Sequence, residues 1–228
     1  MTENELTRLL SAVRGRVAEI LGHEEGCHDF DHTLRVVKNA LSLAAEEGCS
    51  PRETAMIELA ALLHDCARPE EFESGGKLCH AEFGAVKAEQ ILRDLNCTDP
   101  ELIEAVCDAV RCHRYRGKSR PRTRVACVLH DADKLDSIGA VGIGRAFHFA
   151  GKLGARLHNT EAEALNSPAY SREDTAYREY LVKLRKLPAA MLTEPGRREG
   201  QRRLRFMRRF FDRLDAEIRA ATTGRGAK

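Results

Sequence analysis

At 228 residues, with 43% hydrophobic side chains, the chain is long enough to bury one large core or two small ones. Its 37 basic residues stand against 35 acidic ones, a formal charge of +2, so no global field draws it to nucleic acid or to an anionic lipid surface. Eight cysteines (Cys27, Cys49, Cys66, Cys79, Cys97, Cys107, Cys112 and Cys127) form no C-x-x-C pair. Met1–Leu21 is amphipathic rather than signal-like, and no apolar run reaches the roughly 18 residues of a membrane span, so reduced thiols in a soluble cytoplasmic protein are expected.

Leu6, Leu9, Leu10, Val13, Val17, Ile20 and Leu21 recur at helical spacing, and a loop then runs to Asp31, where a second helix starts and continues to near Gly48. Ser50-Pro51-Arg52-Glu53 is a capping box that opens a third helix, and the apolar stretch IELAALLHD carries that helix to His64 and Asp65. Asp99-Pro100 starts a further helix with the stripe Ile103, Val106, Cys107 and Val110, ending at His113, and Thr123 begins the one that holds HDADKLD.

Gly139, Gly142, Gly144, Gly151 and Gly154 predict an irregular or closely packed region. The Gly139–Gly144 run follows a helix and lacks a Lys-Ser/Thr ending, so tight packing is expected rather than a phosphate cradle. Ser171-Arg-Glu-Asp174 is expected to cap a helix ending before Pro188, with a last helix after Pro195. On that helix Arg198, Arg202, Arg205, Arg209 and Arg213 lie opposite Leu204, Met207, Phe211, Leu214 and Ile218, which reads as a solvated face rather than a nucleic-acid surface. With no alternating strand pattern and no repeat, the expectation is an all-α fold: a metal-binding helical domain over residues 1–155 and a C-terminal helical extension over 156–228 packed on it.

His32, the adjacent pair His64-Asp65, and the acidic run near residue 133 offer imidazoles and carboxylates from separate helices. Unpaired in a core these groups would be costly, whereas a divalent cation suits them. Asp131 and Asp133 lie two helical positions apart, about 200° of rotation, so only one of them can face an ion.

The order His32, His64-Asp65, Asp133, with the flanking segments HDFDHTLRV, LLHD and DADKLDSIGAVGIGRAF and the KLP at 186–188, resembles the HD-domain phosphohydrolase superfamily, and within it a stand-alone bacterial branch. The resemblance covers roughly residues 20–155. It implies an HD-like helical bundle with His32, His64, Asp65 and Asp133 as metal ligands, the A-D-K-L segment favouring Asp133 over Asp131. His80 and His113 are candidates for a second metal site, as in binuclear members, and His28 is expected to support the ligands or touch substrate. The chain departs from many members by carrying Arg68 where a catalytic Glu follows three residues after the paired Asp.

The resemblance implies a phosphohydrolase that cleaves a phosphoester or pyrophosphate bond of a phosphorylated small molecule, a nucleotide foremost. Its ion, Mn²⁺ first and Mg²⁺, Co²⁺, Ni²⁺, Fe²⁺ or Zn²⁺ as alternatives, would lower the pKa of a bound water towards about 7. Arg35, Arg68, His113 and Lys134 are the groups available to hold phosphoryl oxygens. Two other readings stand beside this one: a di-iron oxygenase on the same fold, and a non-catalytic nucleotide or nucleic-acid binding module. A homo-oligomer is compatible with all three.

Overall fold

Helix starts follow the capping chemistry written in the sequence. In the computed structural model, which describes residues 1–22, 26–115 and 119–223, Thr2 and Glu5 form a capping box at the head of α1 (Glu3–Leu21), and Asp29 accepts from the His32 amide at the head of α2 (Phe30–Glu46). The loop expected between them falls partly on residues 23–25, outside the described residues. Ser50 and Glu53 form the box for α3 (Pro51–Leu63), whose Pro sits in the first turn, where a missing amide hydrogen costs nothing.

After α3 come α4 (Arg68–Glu73), α5 (His80–Asp94), α6 (Pro100–Cys112), α7 (Arg124–Asp136), α8 (Gly139–Lys152), α9 (Glu161–Asn166) and α10 (Ala176–Val182). A 3₁₀ helix over Leu184–Ala190 precedes α11 (Glu194–Thr223). Every regular element among the described residues is helical, so the chain is all-α, as expected.

Packing separates the chain into two units. The first comprises Met1–Asp136 with Met191–Gly196; the second comprises Ser137–Ala190 and the segment from Arg197. The division thus falls at the end of α7 rather than near residue 155, and a short later segment belongs to the first unit. The reason is Asp131: its carboxylate accepts from the backbone amides of Leu192 (2.9 Å) and Thr193 (2.7 Å) and from the Thr193 hydroxyl (2.8 Å), fastening Met191–Gly196 to α7.

At the centre of the first unit lies α3, whose C-terminal half is apolar on most of its circumference, as a helix packed on several sides must be. Ile57, Leu59, Ala60, Ala61, Leu62 and Leu63 are all inaccessible to solvent, and α1, α2, α6 and α7 pack around them. Burying each large aliphatic side chain contributes about 1.5–3 kcal/mol, which keeps the end of α3, and the residues that follow it, in place.

In the second unit Phe147, Tyr177, Tyr180, Phe210 and Phe211 form an aromatic cluster. Leu204, Met207 and Phe211 of α11 are buried while Arg202, Arg205, Arg209 and Arg213 are exposed, the two-faced helix that the spacing predicts.

Three local expectations need correction. Of the two alternatives for the glycine-rich stretch the irregular one falls for residues 139–152, which form the regular helix α8, and close packing holds at Gly142, where a Cβ would lie 2.2 Å from the Ser137 carbonyl oxygen. The cap of α10 is Thr175, whose hydroxyl accepts from the Arg178 amide, rather than Ser171, and Pro188 lies inside the 3₁₀ helix. Finally, α11 begins before Pro195, at Glu194, since Pro is tolerated in a first turn. The sequence reading did not foresee α4, α5 or α9. For α5 the N-cap is Cys79, which makes no side-chain capping bond, and the buried stripe starts with the small residues Ala81, Gly84, Ala85 and Ala88, a weak apolar signal.

Candidate metal centre

The site in the first unit forms where several helices end or begin. His64 is the C-cap of α3 and His113 the C-cap of α6. At such positions backbone carbonyls lack an intrahelical partner, and each imidazole supplies one: His64 Nδ1 donates to Ala61 O (2.8 Å) and His113 Nδ1 donates to Val110 O (2.7 Å). His32, in the first turn of α2, places Nδ1 2.7 Å from Oδ2 of Asp136 on α7. His80, opening α5, has Nδ1 2.8 Å from Glu71 Oε2, though outside hydrogen-bond geometry.

Protons held on Nδ1 leave the opposite nitrogen, Nε2, as a lone pair, and those lone pairs converge. Nε2 of His32 and Nε2 of His64 are 3.3 Å apart, a separation that is repulsive for two acceptors unless a cation lies between them. Ligand atoms each about 2.1 Å from one cation are themselves about 3–3.4 Å apart, which matches. Asp65 and Asp133 complete the ring of donors. Asp65 Oδ2 is 3.6 Å from His32 Nε2 and 3.5 Å from His64 Nε2, and Asp133 Oδ1 is 3.6 Å from His32 Nε2.

The other Asp65 oxygen faces the remaining pair: Oδ1 lies 3.7 Å from Nε2 of both His80 and His113. His80 Nε2 is buried with no hydrogen-bond partner, an orphan that an ion would satisfy. The described residues therefore hold overlapping groups able to take a metal ion: His32, His64 and Asp133; Asp65, His80 and His113; and His28, His32 and Asp65.

Electrostatics agree with neutral imidazoles around ionised carboxylates. Burial pushes His64 down to about 4, and His113 and His80 are lowered for the same reason. Burial acts to raise the Asp65 carboxyl, but Arg68, His64 and the hydrogen-bonding imidazoles outweigh it and hold it well below its usual range. Asp133 is likewise held down against burial by Lys134, His64 and His32.

The other residues singled out in the sequence fall as follows. His28 places Nδ1 2.9 Å from Asp65 Oδ2, its ring edge-on to His32. Arg68 Nε donates to Asp65 Oδ1 (2.9 Å) and its Nη1 to Glu71 Oε2 (2.7 Å). Arg35 does not point at the donors; it donates to both oxygens of Asp136. Lys134 is buried, with Nζ bonded to the His113 carbonyl and to Asp133 Oδ2, so it orients those two groups instead of facing outward. Asp131 is turned away to the Thr193 segment. Asp136 and Glu71 went unremarked in the sequence. Asp136 closes the run HDADKLD three residues after Asp133, hence on the same side of α7, a signal that was there to use.

Residues 29–138 match the HD domain family model. YpgQ of Bacillus subtilis is 29% identical over 216 residues, covering 90% of this chain and 92% of YpgQ, and its crystal structure in complex with ADP superposes with a TM-score of 0.71 at 26% identity, covering 93% of this chain and 96% of that one. The crystal structure of a predicted HD superfamily hydrolase from an uncultured Thermotogales bacterium is similar over 96% of this chain and 99% of its own, at 29% identity and a TM-score of 0.66. A HD-superfamily hydrolase from Bacillus thuringiensis gives 27% identity and a TM-score of 0.72 over 94% of this chain and 99% of its own.

Proposed function

We propose that this chain, which belongs to the HD-domain superfamily, is a metal-dependent phosphohydrolase that cleaves a phosphoester or pyrophosphate bond of a nucleotide. The observation that carries the reading is the convergence of imidazole Nε2 atoms whose Nδ1 atoms face a carbonyl or a carboxylate. The ADP bound to the relative YpgQ supports a nucleotide as the substrate class.

In this reading His32, His64, Asp65 and Asp133 hold the catalytic cation, and His80 and His113 with the second Asp65 oxygen can hold another. A mixed imidazole and carboxylate set suits Mn²⁺. When bound, such a cation polarises a phosphoryl oxygen and supplies a nucleophile at neutral pH. The chain's own contribution is orientation and charge. Asp136 and the carbonyls of Ala61 and Val110 keep three imidazoles in the accepting tautomer. Arg68, a quarter exposed beside Asp65, offers its guanidinium to a phosphoryl oxygen. Lys134 stiffens the site from behind through His113 and Asp133.

The cysteines form no C-x-x-C pair and burial pushes Cys66 up to about 12; we read them as reduced thiols and place the enzyme in the cytoplasm. Among the described residues no helix is long and apolar enough to cross a membrane.

The test is phosphate and pyrophosphate release from nucleoside mono-, di- and triphosphates by chelator-stripped protein, with Mn²⁺, Co²⁺, Mg²⁺ or Ca²⁺ added back. Turnover with Mn²⁺ or Co²⁺, and little with Ca²⁺, is expected, because Ca²⁺ prefers oxygen ligands and polarises water weakly. Equal turnover by the stripped protein, or silence with every metal, refutes the reading.

A further inference from the structure

Helix α4 turns its side chains in two directions. Arg68 reaches back to Asp65, and Glu71 meets His80, whereas Glu70 pairs with Lys87 on α5. At about 100° per residue, Phe72 falls about 40° from Arg68 and about 160° from Glu70 around the helix axis. It therefore shares the edge of α4 that carries Arg68, on the side away from the Lys87 anchor. The residue is 84% exposed, more than any other large hydrophobic residue described.

A single exposed Phe on a protein surface is ordinary. This one lies four residues, about 6 Å of helical rise, beyond Arg68, whose guanidinium donates to a carboxylate of the donor cluster. Positive charge at one point and a flat apolar face one turn away match a ligand with an anionic end and a planar ring.

We infer that Phe72 is the ring-stacking residue of the substrate site, packing on the nucleobase while the phosphates lie towards Arg68 and the His–Asp cluster. This rests on the phosphohydrolase reading and names the part of the substrate that the chain recognises outside the donor cluster. Stacking on an aromatic face is tolerant of base identity, so purine and pyrimidine nucleotides should bind with little preference.

The test is calorimetric titration of the full-length, Mn²⁺-loaded protein with ADP and, separately, with inorganic pyrophosphate, which has no ring. Phe72→Ala should weaken ADP about tenfold and leave pyrophosphate within about twofold, while Phe72→Trp should retain ADP affinity. Unchanged ADP affinity in Phe72→Ala overturns the inference and leaves the phosphohydrolase reading standing. Equal weakening of both ligands overturns it too, since it would assign Phe72 to the shape of α4. If the unsubstituted protein binds pyrophosphate but not ADP, the inference falls along with the nucleotide; binding of neither would refute the underlying reading itself.

Discussion

His32 Nδ1 lies 2.7 Å from Oδ2 of Asp136, a residue 104 positions further along the chain, and the same carboxylate takes two hydrogen bonds from Arg35. The pairing fixes which nitrogen of His32 carries the proton, and so which one faces the donor cluster. A carboxylate behind a histidine ligand also raises its basicity.

Asp136→Asn should therefore lower metal affinity by about 10–100-fold while the fold persists, because the side chain acts through His32 and not on the ion. Metal titration followed by elemental analysis checks this. Affinity unchanged from the parent protein would show that His32 needs no such partner.

The two competing aspartates should separate cleanly. Asp133→Asn removes a carboxylate of the cluster and should empty the site with little change in unfolding midpoint. Asp131→Asn should do the opposite, keeping metal occupancy but losing about 1–3 kcal/mol of stability, since charge-assisted bonds to the Leu192 and Thr193 amides and the Thr193 hydroxyl are weakened. Denaturant unfolding alongside metal analysis of both variants decides it, and a reversed outcome would mean the helix register at the site has been misread.

Gly196→Ala sets two effects against each other. Alanine improves helix propensity at the head of α11 by roughly 1 kcal/mol, but its Cβ would lie 2.5 Å from Asp131 Oδ2 and 2.6 Å from Thr193 Oγ1. Both atoms belong to the buried clasp and cannot swing away, so overpacking at about 1–3 kcal/mol should win. A thermal midpoint below that of the parent is expected; an increase would show that the clasp yields.

Acid should destabilise the metal-free protein well before its carboxylates titrate. His64 is wholly buried and burial holds it down to about 4, whereas in the unfolded chain it titrates near 6.5. Between those values the unfolded state binds a proton that the native state refuses, so stability falls as pH falls through that window. The loss is on the order of 3 kcal/mol from this residue at full effect, and the lowered His28, His80 and His113 act in the same direction. Guanidinium unfolding in chelator at pH 7.5, 6 and 5 measures it, and a flat profile would count against neutral imidazoles at the site.

What could be read without a structure was local. The capping box at Ser50 and the Asp99-Pro100 start need only a few neighbouring residues to act, and helix period alone places the α11 arginines opposite Leu204 and Met207. The same period separates Asp131 from Asp133, and the family resemblance picks out His32, the pair His64-Asp65 and Asp133 because they sit in three short, chemically marked segments. Tertiary structure alone decided how those segments meet. The placement of Asp136 behind His32, the sharing of the two Asp65 oxygens between two imidazole pairs, the bonding of Lys134 to the His113 carbonyl and of Arg35 to Asp136, and the clasp of Asp131 on Met191–Gly196 all join residues far apart in the chain. Periodicity and capping carry no information about which distant groups come within hydrogen-bond reach. That is settled by how α2, α6 and α7 pack around α3, the helix whose ending brings His64 and Asp65 to the centre.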